Sequence, residues 1–150
     1  MSKQASELAL ITLDNTKHWC AGAVLDYIAD CHGDCDTIPV TSLLWNKLDH
    51  TGWTPNGTSQ GIWAGETLIA DNNTWTISIP SALAPGKYVI RHEAARLDEA
   101  YWDYGMEFYP NCINIDVEGT GTAKLSGGVV GTELYKIGGM YISRCKVRGV

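Results

Sequence analysis

Two apolar stretches joined by a polar, aromatic one constrain this chain more than any other feature. They lie between Pro85 and Val117. Pro85-Gly86 sets a turn, because proline fixes φ and glycine tolerates positive φ. Lys87 to Leu97 then reads as a long strand, with Tyr88, Val89 and Ile90 near its start. Further on, Ile113, Ile115 and Val117 alternate with Asn114, Asp116 and Glu118, the period-two signature of a half-buried strand. Between them, Asp98 to Pro110 reads as a loop crowded with carboxylates, phenols and an indole: Asp98, Glu99, Tyr101, Trp102, Asp103, Tyr104, Glu107 and Tyr109. Loops held by rigid strands are where binding and chemistry concentrate.

The rest of the chain supplies partners for those two strands. Leu8 to Leu13 is a short apolar run with β-branched members, and Val24 to Ala29 reads as a strand or a short helix. Ser42 to Leu48 has strand character, and Asp49 to Gly61 reads as an exposed loop rich in Gly, Thr, Asn and Pro. Trp75-Thr76-Ile77-Ser78-Ile79 alternates cleanly, with Trp75, Ile77 and Ile79 on one face. Val129 to Tyr135 completes the set. Short strands between turn signals, with no long amphipathic helix, predict an all-β sandwich. At 150 residues the chain suits one such domain. The body is read as residues 1–136, and residues 137–150 as a divergent tail, basic where the rest is acidic. That tail reads as non-coding sequence brought into frame, or else as a functional basic extension.

Composition narrows the partners. A formal net charge of −6 with no basic cluster disfavours nucleic acid and anionic membranes. An uncharged polymer remains compatible. Six Trp and seven Tyr against one Phe favour rings with a polar edge, which suit sugar stacking and sandwich cores alike. No apolar run approaches the ~18 residues of a membrane span. Met1 to Glu7 lacks the apolar segment of a signal peptide. Asn56-Gly57-Thr58 and Asn72-Asn73-Thr74 match the N-glycosylation pattern, which matters only outside the cytosol.

Of five cysteines, Cys31 and Cys35 flank a turn that a disulfide can close; a zinc site there needs two further ligands, and none is evident. Cys112 pairs with Cys20 or Cys145, or stays free, since an odd total leaves a thiol over.

Several segments together resemble one fungal family. They are Ile79-Pro80-Ser81, Leu83 to Tyr88, Arg91-His92-Glu93, Phe108 to Asn114, and Gly131 to Lys136. In order and spacing they are similar to the auxiliary-activity family nine lytic polysaccharide monooxygenases, formerly glycoside hydrolase family sixty-one. The resemblance runs from about Glu7 to Lys136. It implies an immunoglobulin-like or fibronectin-like β-sandwich with long loops, here incomplete at the N-terminus. It also implies a disulfide at Cys31 and Cys35, secretion as a monomer, and copper-dependent oxidative cleavage of cellulose or a related β-glucan.

The same resemblance sets expectations residue by residue. Members hold copper with an N-terminal histidine and with a second histidine in a His-x-Gly-Pro loop; open positions take oxygen. That loop matches Cys20-Ala21-Gly22-Ala23, so Cys20 stands at the second histidine, with His18 nearby. The family's Ala-Leu-His matches Arg96-Leu97-Asp98, and its Gly-Ala-Gln-Phe-Tyr matches Gly105 to Tyr109. Asp98 and Glu107 thus replace a histidine and a glutamine, acceptors in place of donors, while Tyr109 keeps the axial position. Residue 1 is Met and residue 2 is Ser, so the copper ligands read as missing. Asp98 and Glu107 as a glycosidase pair, or with Tyr109 as a hard-cation site, are weaker readings than solvated carboxylates. Tyr101, Trp102 and Tyr104 are candidates for stacking on a glucan. His92 and Glu93 read as packing and hydrogen-bonding residues. The alternative function is a non-catalytic carbohydrate-binding remnant.

Overall fold

The computed structural model describes residues 6–10, 21–58, 60–102, 105–135 and 146–147, of which 6–10 and 146–147 enter through backbone pairing alone. Strands dominate, in the order β1 (Ser6–Leu10), β2 (Gly22–Asp30), β3 (Leu44–Thr51), β4 (Trp53–Thr54) and β5 (Ile62–Trp63). One helix follows, α1 (Ala64–Ala70), then β6 (Trp75–Ile79), β7 (Gly86–Arg96), β8 (Glu107–Val117), β9 (Val129–Val130) and β10 (Lys146–Val147). The main sheet runs β10-β8-β7-β2-β3-β9. Its neighbours are antiparallel except β10, which lies parallel to β8. A two-stranded sheet, β1 with β6, supplies a second layer, and β4 pairs with β5 apart from both.

The layers form because β7 is buried on both faces and carries apolar residues on each. One face of the sheet gathers Ile28, Tyr88 and Ile90 against Ile77 and Ile79 of β6, with Leu83 at the edge. The alternation expected over Trp75–Ile79 is what seats β6, since Ile77 and Ile79 are buried while Thr76 and Ser78 are exposed. The other face gathers Tyr27, Ala29, Trp45 and Val89 with Cys31, Leu43 and Cys112. This is the all-β sandwich that the strand pattern predicts.

Several boundaries differ from the sequence reading. β3 extends through Thr51, and the stretch read as one loop to Gly61 carries β4 and reaches β5. The helix α1 is one that strand periodicity passes over: only Ala64, Gly65 and Leu68 are buried on it. Its first turn is closed by the Trp63 N–H, which donates to Glu66 Oε2 at 2.7 Å. Asn72 and Asn73, at φ 56° and 59°, end it in the left-handed region. The largest difference is at β8, which begins at Glu107 rather than near Ile113. Its early residues lack apolar alternation, so backbone pairing with β7 defines them instead.

The cysteine alternatives are resolved in part. Cys31 and Cys35 form a disulfide, which excludes zinc there. Cys112 is disulfide-bonded as well, so it is not a free thiol. Cys20, Cys145 and His18 lie outside the described residues.

Ionisable groups occupy the centre of β7, and each finds an internal partner. Arg91 and Glu93 are 3% and 0% exposed, and two Arg91 nitrogens reach the two Glu93 oxygens at 2.7 and 3.4 Å. The Tyr135 hydroxyl donates to Glu93 and lies 3.1 Å from the Tyr27 hydroxyl. Arg91 also sits 5.9 Å from the Trp45 ring centroid, on the same face. On the opposite face His92 Nδ1 meets Asp26 Oδ1 at 2.7 Å, and Trp75 Nε1 donates to Asp26 Oδ2 at 3.1 Å. Such groups are tolerated inside a sandwich only when bonded. His92 and Glu93 therefore have the packing and hydrogen-bonding role that the sequence suggests.

Glu93→Ala strands a buried guanidinium, and the expected loss is about 3–5 kcal/mol in urea unfolding. Lys87→Ala, which removes an exposed pair with Asp116, leaves the midpoint within error. A second expectation concerns alkali. Burial, and then Glu93, push the Tyr135 phenol far above its usual range, and burial pushes Tyr27 up. Both neutral phenols favour the folded state, fully so below pH ~10, where unfolded tyrosine ionises. Stability should therefore fall as pH rises above ~10, read as a lowered Tm alongside phenolate absorbance. An unchanged Tm up to pH ~12 would contradict that linkage.

Candidate functional site

The candidate site sits where β7 and β8 leave the core. Cross-strand register places Arg96 opposite Glu107 and Ala94 opposite Tyr109. Glu107 and Tyr109 are therefore strand residues, which corrects the reading that put them in a loop. Their spacing of two puts them on one face of β8. Leu97 to Trp102 then turns tightly, with Ala100 N–H bonded to Leu97 O and Trp102 N–H to Glu99 O. Gly105 closes this turn. A Cβ there would lie 1.8 Å from Glu99 O, so no larger residue fits.

Arg96 organises the site. Its Nε donates to Asp98 Oδ1 at 2.6 Å and its Nη2 to Asp98 Oδ2 at 2.9 Å, a bidentate pair. Nη2 also reaches Glu99 at 3.1 Å, and Nη1 reaches Glu107 at 3.3 Å. Tyr109 then donates its hydroxyl proton to the same Glu107 oxygen, Oε2. Electrostatics follow from these contacts. The Arg96 hydrogen bonds hold the Asp98 carboxyl below its ordinary range, and Asp98 in turn raises Arg96. Burial, reinforced by Glu107, raises the Tyr109 phenol. At neutral pH the cluster is one fixed cation among carboxylates, with a phenol kept neutral.

The sequence reading placed Asp98, Glu107 and Tyr109 together, and two of those contacts are now visible through Arg96 and Tyr109. It gave Arg96 no role and named Glu99 only among the carboxylates of the loop. A signal was available, because Arg96-Leu97-Asp98 at a strand end puts a cation and a carboxylate on the same side, two residues apart. Asp98 and Glu107 are exposed but ion-paired, not merely solvated. Tyr101 and Trp102 are 75% and 67% exposed, with ring centroids 5.2 Å apart and planes tilted by 45°. Tyr104 and Cys20 lie outside the described residues. Among the described residues, no three His, Cys, Asp or Glu side chains form a group that could hold a metal ion.

Comparison with known proteins now bears on this geometry. The family model for Auxiliary Activity family 9, formerly GH61, matches residues 3–144. The AA9 family lytic polysaccharide monooxygenase I of Botryotinia fuckeliana is 45% identical over 115 residues, covering 76% of this chain and 42% of that protein. The solved structure of Cel61B from Hypocrea jecorina, a glycoside hydrolase family 61 member, superposes with a TM-score of 0.81 at 33% identity. That match covers 97% of this chain and 66% of the other. A cellulose-active polysaccharide monooxygenase from M. thermophila matches with a TM-score of 0.62 at 30% identity, over 73% of this chain and 51% of that one. The chain thus spans less than half the length of curated relatives such as the Botryotinia fuckeliana protein. With a family model matched along nearly its whole length and a shared sandwich beneath it, the chain belongs to Auxiliary Activity family 9.

Proposed function

We propose that this chain keeps the family's glucan-contacting scaffold without assembling its copper chemistry at Tyr109. The observation that carries the reading is Arg96. A guanidinium bonded to Asp98, Glu99 and Glu107 puts a permanent positive charge beside the retained tyrosine. A metal cation placed there meets that charge, and carboxylates already engaged by Arg96 are poor replacements for imidazole nitrogen toward copper. The described residues around Tyr109 do not fit copper, and we derive no oxidative step from them. What they can do is hold the β7–β8 turn in one shape. That turn carries Tyr101 and Trp102 outward, where tilted rings can stack on the apolar faces of a β-1,4-glucan.

Extracellular destination and a monomeric state complete the proposal. Two disulfide-bonded sites, Cys31–Cys35 and Cys112, fit an oxidising compartment. The rival reading is an active copper monooxygenase acting on cellulose. It has in its favour Tyr109, held at the strand position where the family pattern puts its axial tyrosine, and the names of the relatives.

Two measurements separate these readings. With one equivalent of Cu(II), calorimetry and electron paramagnetic resonance are expected to show no tight one-to-one site on the full chain. Cellulose plus ascorbate should then yield no oxidised oligosaccharides. A stoichiometric copper signal accompanied by oxidised products would establish the rival. In cellulose pull-down without copper, Trp102→Ala is expected to weaken binding roughly two- to tenfold, the scale of one aromatic contact. Retention unchanged by Trp102→Ala and Tyr101→Ala together would remove the glucan-contact role.

A further inference from the structure

Two Asn-x-Thr patterns occur in the chain, and their local structures differ. Asn56-Gly57-Thr58 lies in the connection between the paired strands β4 and β5, and all three residues are exposed. Asn56 Oδ1 accepts the Thr58 backbone N–H at 3.0 Å and the Thr58 hydroxyl at 2.6 Å. Gly57 sits between them at φ 82°, which glycine adopts without strain. These bonds span two residues, so a nascent chain can form them before any tertiary contact exists. At Asn72-Asn73-Thr74 the Thr74 N–H goes instead to Asp71 O at 3.0 Å, as part of the helix end. Only the first pattern brings its threonine hydroxyl onto its own asparagine amide.

We propose that Asn56 is an N-glycosylation site. The acceptor Nδ2 attacks the anomeric carbon of an oligosaccharide carried on a lipid pyrophosphate. A nitrogen–carbon bond forms while the carbon–oxygen bond to pyrophosphate breaks. The lipid pyrophosphate leaves with the electron pair, and Nδ2 loses one proton to a base of the transferase. The proton that remains can keep the Nδ2 contact to Gly61 O, 3.3 Å away. Gly61 also lies against the ring of Trp53, a residue 47% exposed whose indole N–H donates to Gln60 O at 2.8 Å, so the glycan stands next to a half-exposed indole. In the cell the modification rests on the extracellular destination proposed above, and on nothing about copper.

The test sends the full chain into the yeast endoplasmic reticulum behind a heterologous leader, with Asn72→Gln so that one pattern remains. Secreted and cell-retained pools are both expected to lose mass on endoglycosidase treatment, with a single N-acetylglucosamine left on Asn56 by peptide mapping. Asn56→Gln and Thr58→Ala should abolish the shift, whereas Thr58→Ser, which keeps the hydroxyl, should retain it. An unmodified Asn56 in chains whose leader has been removed overturns the proposal. Because the leader is supplied, that outcome counts against Asn56 alone and leaves the native destination and the copper reading as they were.

Discussion

The structure depends on a strand that is buried on both faces and yet carries three ionisable residues at its centre. From Tyr88 to Ala95 every residue of β7 is buried. A strand in that position cannot send Arg91, His92 and Glu93 to water, so each must be answered from within. Alternation decides how. Arg91 and Glu93 point to one face and pair with each other, while His92 points to the other and meets Asp26 of the adjacent β2. Tyr27, next to Asp26 on β2, joins the Arg91–Glu93 side through Tyr135. Two polar clusters thus tie β2, β7 and a late segment of the chain into one register. A one-residue slip would move each charge into the opposite apolar layer.

That register positions the surface chemistry as well. β7 leaves the core at Arg96, and the pairing that fixes Ile90 opposite Ile113 also fixes Arg96 opposite Glu107. The site is an outgrowth of core alignment, not a separately folded loop. The turn from Leu97 to Trp102 gains its shape from backbone bonds and from Arg96 gripping Asp98 and Glu99. Exposed rings at Tyr101 and Trp102 would otherwise have little to hold them outward.

Much of this was legible in the sequence. The paired strands around residues 85–117 and the alternation that seats β6 follow from period, while the Cys31–Cys35 staple was one of two readings of its spacing and the one the family resemblance implies. The start of β8 did not, for a physical reason. Glu107, Tyr109 and Pro110 have no strand-like apolar pattern, and only hydrogen bonding to β7 makes them strand. The helix α1 was passed over because seven residues with three buried positions leave too short a stripe to recognise. At the site, the family pattern pointed to Asp98, Glu107, Tyr109 and Cys20 and gave Arg96 no role. Arg96 lay in the same matched triplet and carries most of the cluster's hydrogen bonds. Its importance comes from where Glu107 lies across the ladder, which no local reading of either segment contains.

On the proposed correspondence with the family pattern, the three departures at this site make sense only together. Asp98 and Glu107 in place of a histidine and a glutamine would, on their own, bring two negative charges to a shared turn beside a phenol. Like charges so placed raise one carboxyl's pKa or push the strands apart. Arg96, where the pattern has alanine, cancels that cost: it bonds both carboxylates and keeps Asp98 ionised. Arg96 thereby engages both oxygens of Asp98 and one of Glu107. A phenol that donates to one of those acids, itself raised in pKa, is then held as a neutral hydrogen-bond donor. Among the described residues, what surrounds Tyr109 is an ion-pair cluster in which Arg96 donates to Asp98, Glu99 and Glu107 and the phenol donates to Glu107.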